Sequence, residues 1–141
     1  QLKKKYIDTG KVQLEFIDYP LDRLAVIAAA LARSIPTRDG YVEAVSILLK
    51  KQKQWAYSKN PLKELQSIAK LFGISSKKFN DISQNIPLMQ EIVTKMEEES
   101  KNFDINSTPT FIVNDKYKIS GALSFKDFEK ELLKSINAKK S

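Results

Sequence analysis

Neither cysteine nor histidine occurs in these 141 residues. The first absence excludes a disulfide framework and thiolate metal sites. The second removes the commonest general base, a common metal ligand and every serine–histidine arrangement. Most nucleophilic and zinc chemistry is closed to the chain on these two counts. Long apolar runs are missing as well. The longest, Leu24 to Ala32, is alanine-rich and lies between Arg23 and Arg33. It falls far short of the ~20 residues that span a bilayer, and it reads as a buried helix. Gln1 and three lysines are followed by Tyr6-Ile7-Asp8-Thr9-Gly10, where a signal peptide would need an apolar stretch. There is no initiator methionine, so the sequence is expected to be a piece of a longer chain.

What is present fits a compact domain. Hydrophobic residues make up 42% of the chain, and its length allows a sizeable core. The net charge is +7. Lysines stand at 3–5, 50, 51, 53, 77, 78, 139 and 140, with acidic residues among many of them. No aromatic–basic interleaving of the kind found on RNA-binding sheets accompanies them. A solvated, lysine-rich surface is expected, without a nucleic-acid partner. Glu97 to Glu99 are adjacent on a predicted helix, where consecutive side chains diverge by about 100° and do not converge on one ion. No metal and no cofactor are expected.

The patterning predicts a helix tail over Leu2 to Ile7, stopped by Gly10. Val12, Leu14 and Phe16 alternate with polar positions, which predicts a strand over Val12 to Tyr19, ended by Pro20. A helix is predicted from Leu21 to Ser34, a loop from Ile35 to Gly40, and one helix from Tyr41 to Ala56. Asn60-Pro61 opens the next helix and Gly73 stops it. Ser75 or Ser76 caps a short one carrying Phe79 and Ile82. Pro87 opens a longer helix. After Asp104 the period changes. Thr110-Phe111-Ile112-Val113 and Tyr117-Lys118-Ile119 read as a hairpin turning at Asn114-Asp115-Lys116. Ser124 caps a last helix, with Asp127 as its capping-box partner and Phe125, Phe128, Leu132 and Ile136 as its apolar stripe. Two strand regions separated by a helical block predict an interrupted α/β fold.

This order, with Ser107-Thr108-Pro109-Thr110-Phe111-Ile112-Val113 and Ile119-Ser120-Gly121-Ala122, resembles the DsbA-type branch of the thioredoxin superfamily. Phe16-Ile17-Asp18-Tyr19-Pro20-Leu21-Asp22, Trp55-Ala56 and Phe72-Gly73-Ile74 add to the likeness, which runs over essentially the whole chain. The resemblance implies an α/β chain with an incomplete thioredoxin-like fold and an inserted α-helical subdomain. Residues 1–20 and 104–141 would supply the thioredoxin-like portion, and 21–103 the insertion. It also implies a cis bond before Pro109. There the backbone N–H and C=O of Thr108 would pair with an extended, cysteine-containing polypeptide, as an added strand does. Thr108 and Pro109 are therefore the expected substrate-binding residues.

The departure from the family is the thiol pair. Its Cys-x-x-Cys opens the helix whose tail resembles Leu2 to Ile7, so the pair is expected upstream of Gln1, together with the strand preceding it. In the resembled fold that strand lies between Val12–Tyr19 and Thr110–Val113. Its loss is expected to leave buried backbone groups unpaired, at ~1–3 kcal/mol each. An upstream segment, a strand swapped in from a second copy, or closure of the two remaining strands would fill the gap. The implied function is part of a DsbA-like thiol-disulfide oxidoreductase, forming disulfides in secreted proteins outside the cytoplasm, with a membrane redox partner for the full-length parent. This chain alone would be non-catalytic. The alternative is a cysteine-free peptide-binding or chaperone-like module of the same fold.

Overall fold

The computed structural model describes residues 1–138. They form two compact units, Asp18–Met96, and Gln1–Ile17 together with the residues from Glu97 onward.

The Asp18–Met96 unit is helical. It holds α1 (Arg23–Arg33), α2 (Arg38–Lys50), α3 (Gln52–Ala56), α4 (Pro61–Leu71), α5 (Ser76–Ser83) and the first part of α6 (Ile86–Phe103). A polar side chain caps nearly every start. Asp22 accepts from the Ala25 N–H at 2.8 Å, Asn60 from Lys63 at 3.4 Å, Ser75 from Lys78 at 3.2 Å and Asn85 from Leu88 at 3.1 Å. Each bond satisfies a donor the helix cannot. Leu31, Leu65 and Ile92 are the largest fully buried side chains. Ala28, Ala30 and Ala32 are buried beside Leu31, and α1 packs on α2, α4 and α5. Small side chains permit that central placement.

Two expectations fail in this unit. The loop predicted to end at Gly40 ends earlier, because Thr37 caps α2 and its hydroxyl accepts from the Gly40 N–H at 3.2 Å. Gly40 lies in the first turn for lack of room. A Cβ there would sit 2.7 Å from both Ile35 Cγ2 and Thr37 Oγ1. The single helix predicted over Tyr41 to Ala56 is two, broken at Lys51. The buried Trp55 indole N–H donates to the Leu48 carbonyl at 2.9 Å. Seven residues of straight helix would separate these positions by about 10 Å along the axis. The break lets the ring fold back.

The other unit carries the sheet. β1 (Thr110–Val113) and β2 (Tyr117–Ser120) are antiparallel, with Phe111 opposite Ile119 and Val113 opposite Tyr117. Asn114 and Asp115 both take positive φ in the turn, a conformation these two residue types tolerate. Ser124 caps α7 (Phe125–Asn137): its hydroxyl accepts from the Asp127 N–H at 3.2 Å and meets the Asp127 carboxylate at 2.6 Å. Phe128 and Leu132 bury against Tyr6 and Ile119, and the Phe111 and Phe128 rings lie 4.7 Å apart, tilted. Tyr6 comes from a short π-helical turn, Lys3–Ile7, which ends near Gly10 at φ +71°.

The strand predicted over Val12 to Tyr19 is absent. The segment joins no ladder, and β1 pairs only with β2 among the described residues. Alternation records which side of a strand is apolar, but a strand also needs a hydrogen-bonded neighbour. The anticipated desolvation cost does not arise here. Gln13, Glu15, Phe16 and Ile17 are exposed and Val12, Leu14, Asp18 and Tyr19 half-buried, so no residue of this segment is fully buried. Nor does Val12–Tyr19 pair with β1 among the described residues.

Candidate peptide-binding site

The loop Asn106–Pro109 joins α6 to β1, and all four of its residues are exposed. Asp104, at φ +49°, turns the chain out of α6. The Lys118 ammonium of β2 donates to the Asp104 carbonyl at 2.8 Å and the Phe103 carbonyl at 3.3 Å, with the Asp104 carboxylate at 3.6 Å. A cation at a helix C-terminus satisfies carbonyls that the helix leaves free and opposes the negative end of its dipole. At the far end the Gly121 N–H donates to the Pro109 carbonyl at 2.9 Å, extending the β1–β2 pairing by one bond. Gly121 has φ +91°, where a side chain would be strained. Between these ends the Thr110 hydroxyl donates to the Ser107 carbonyl at 2.6 Å.

The Thr108–Pro109 peptide bond is cis. Thr108 is exposed, and neither its N–H, its C=O nor its hydroxyl has a hydrogen-bond partner among the described residues. Both expected site residues thus share one solvent-facing loop held from both sides. Sequence reasoning missed Lys118 and, in part, Gly121. Gly121 falls in the Ile119–Ala122 motif, but nothing in the sequence links Lys118 to Asp104.

A second polar cluster ties the same unit together. The Tyr6 hydroxyl donates to Glu129 Oε1 at 2.5 Å, and the Lys5 ammonium lies 2.6 Å from the same oxygen. The hydrogen bond from Lys5, then that from Tyr6, holds the Glu129 carboxyl below the usual carboxylate range. The bond to Glu129 raises both the Lys5 and Tyr6 pKa values.

A family model described as thioredoxin matches residues 1–134. The chain belongs to the thioredoxin family. This thioredoxin-family chain superposes on the crystal structure of Wolbachia pipientis alpha-DsbA1, in a variant with two cysteines replaced by alanine. The TM-score is 0.83 and the identity 27%, covering 94% of this chain and 72% of that one. Curated proteins of Rickettsia typhi and Rickettsia conorii, provisionally named protein-disulfide oxidoreductases, are 29% and 30% identical over 80% and 81% of the chain. The chain spans 42% and 41% of those relatives. The fold is therefore a thioredoxin-like core, here a two-stranded sheet with its helices, interrupted by a helical subdomain as in DsbA. With no cysteine, the chain has no thiol for dithiol–disulfide exchange and is redox-inactive by itself.

Proposed function

We propose that this chain is the peptide-binding portion of a DsbA-like thiol-disulfide oxidoreductase that forms disulfides in secreted proteins outside the cytoplasm. Thr108 and Pro109 bind its substrate. The observation that carries this reading is the free backbone of Thr108 on an exposed, braced loop. An N–H and a C=O without internal partners can be shared with an extended polypeptide in the manner of β-augmentation. Braced ends lower the ordering cost of binding. The parent enzyme would bring a thiolate beside this loop for mixed-disulfide exchange with a cysteine of the bound polypeptide. A membrane redox partner would reset the parent. A segment from the parent, or a strand swapped in from a second copy, would lie along the unpaired side of β1.

The test is calorimetric titration of the chain with an extended peptide whose cysteine is replaced by serine, alongside the same peptide N-methylated at alternate residues. Binding that falls about tenfold when one register is methylated, but not the other, matches a lost backbone hydrogen bond or two. Equal affinity for all three peptides would remove Thr108 from the site. The absence of cysteine also favours a second reading, a non-redox peptide-binding module. A full-length parent that lacks Cys-x-x-Cys but still binds the peptide decides for that module.

A further inference from the structure

The +7 charge is not spread over the molecule. Residues 50–78 contain eight lysines, no arginine and one acid, Glu64. That segment alone carries +7, and the remaining 112 residues hold sixteen basic and sixteen acidic side chains. The stretch is thus lysine-rich with almost no acid to balance it. It runs from the end of α2 through α3 and α4 into α5, and these helices pack consecutively on one another. Trp55, Leu65, Ile68, Ala69, Ile74 and Phe79 face the core, while all eight lysines are exposed. None of the eight makes an ion pair among the described residues, whereas Lys3, Lys5, Lys118 and Lys134 each do. Glu64 does not offset them singly, because it is engaged by the Gln54 amide at 3.0 Å.

Large apolar side chains stand among these charges. Leu49 and Leu71 are 64% exposed and Tyr57 is 84% exposed. On α4, Lys63, Lys70 and Leu71 fall at i, i+7 and i+8, on one outward face. We infer that this surface of the helical unit docks on an anionic lipid bilayer. Unpaired lysines gain from the negative surface potential of such a membrane. Exposed leucines and a tyrosine gain by entering its headgroup boundary. The composition fits lipid better than nucleic acid. Arginine, which forms the bidentate phosphate and guanine contacts, is missing from residues 50–78, and Tyr57 is the one exposed aromatic of that stretch for base stacking.

Co-sedimentation of the chain with phosphatidylcholine vesicles, with and without phosphatidylglycerol, tests the inference at low and high salt. Binding is expected only with phosphatidylglycerol present and is lost at high salt. Each lysine removed from the surface should weaken it about fivefold. Lys63→Glu with Lys70→Glu, a change of four charges, should therefore weaken binding roughly several hundredfold, while Lys4→Glu with Lys126→Glu leaves it near wild type. Tyr57→Ser with Leu71→Ser should weaken binding at unchanged charge. Circular dichroism identifies any variant that fails to fold, and the wild-type salt and lipid series stands without the variants. Four results would overturn the inference: no binding to anionic vesicles, equal binding to neutral ones, equal loss in the Lys4 and Lys126 variant, or tighter binding to duplex DNA at the same salt.

Discussion

Tyr6 and Glu129 stand 123 positions apart in the chain, and their side chains meet at 2.5 Å. Tyr6 is buried, and Glu129 takes both its hydroxyl and the Lys5 ammonium on a single carboxylate oxygen. The contact fastens the N-terminal turn to α7 within the sheet-bearing unit.

That cluster gives stability a pH window. Glu129 has a lowered pKa in the fold, so its contribution is present at neutral pH and is lost as pH falls below about 4. Tyr6 and Lys5 have raised values, so theirs is whole below about 10 and is lost as pH rises beyond it. Urea midpoints measured across acid, neutral and alkaline pH should form a plateau with two falling limbs. Glu129→Gln should flatten both limbs, since Glu129 is the leading cause of the Lys5 and Tyr6 shifts. An unchanged acid slope in that variant would remove Glu129 as its source.

Gly40→Ala should destabilise the protein, against the ordinary preference for alanine over glycine in a helix, worth about 1 kcal/mol. The added methyl would press on Ile35 and on the Thr37 hydroxyl that caps α2. Overpacking of this kind costs about 1–3 kcal/mol. Ile35→Ala in the same background relieves only one of the two contacts, so partial recovery is expected in chemical denaturation.

Leu65→Ala should cost about 2–5 kcal/mol, because Leu65 is fully buried in the helical core and truncation leaves a cavity. Leu71→Ala, two turns along α4 and mostly exposed, should stay within about 0.5 kcal/mol. Similar losses for the two would contradict the burial of α4.

Asp18→Asn should destabilise the helical unit by about 1–2 kcal/mol, a value reduced for partial exposure from the full cost of breaking a buried pair. The Arg33 Nε–Asp18 Oδ2 contact is 2.6 Å, with both side chains mostly shielded. Burial alone would lower the Arg33 pKa, yet its hydrogen bond and attraction to Asp18 raise it overall. Restoration of stability by also replacing Arg33 with Met would show that the lone cation, more than the lost bond, carries the cost.

Much of this fold was legible wherever a local rule decides the outcome. The caps at Asn60, Ser75 and Ser124, the stop at Gly73, and the hairpin at Asn114-Asp115 are each written in a few neighbouring residues. Partnership across the chain was not legible. Alternation at Val12, Leu14 and Phe16 could not reveal that their segment joins no sheet among the described residues. The break at Lys51 has neither glycine nor proline to announce it, and its reason is a bond from Trp55 to Leu48. At the candidate site, the motif located Thr108 and Pro109. The brace from Lys118 needed coordinates, because it crosses fourteen residues.

That brace has a mechanical meaning. β2 holds the chain at Asp104 through Lys118, and the residue following β2 holds it again at Pro109 through Gly121. The loop is thus a short span on two fixed piers, and Thr108 between them offers free backbone. A ligand arriving there would meet a rung already cut to length, and a load placed on that rung would pass directly into the hairpin.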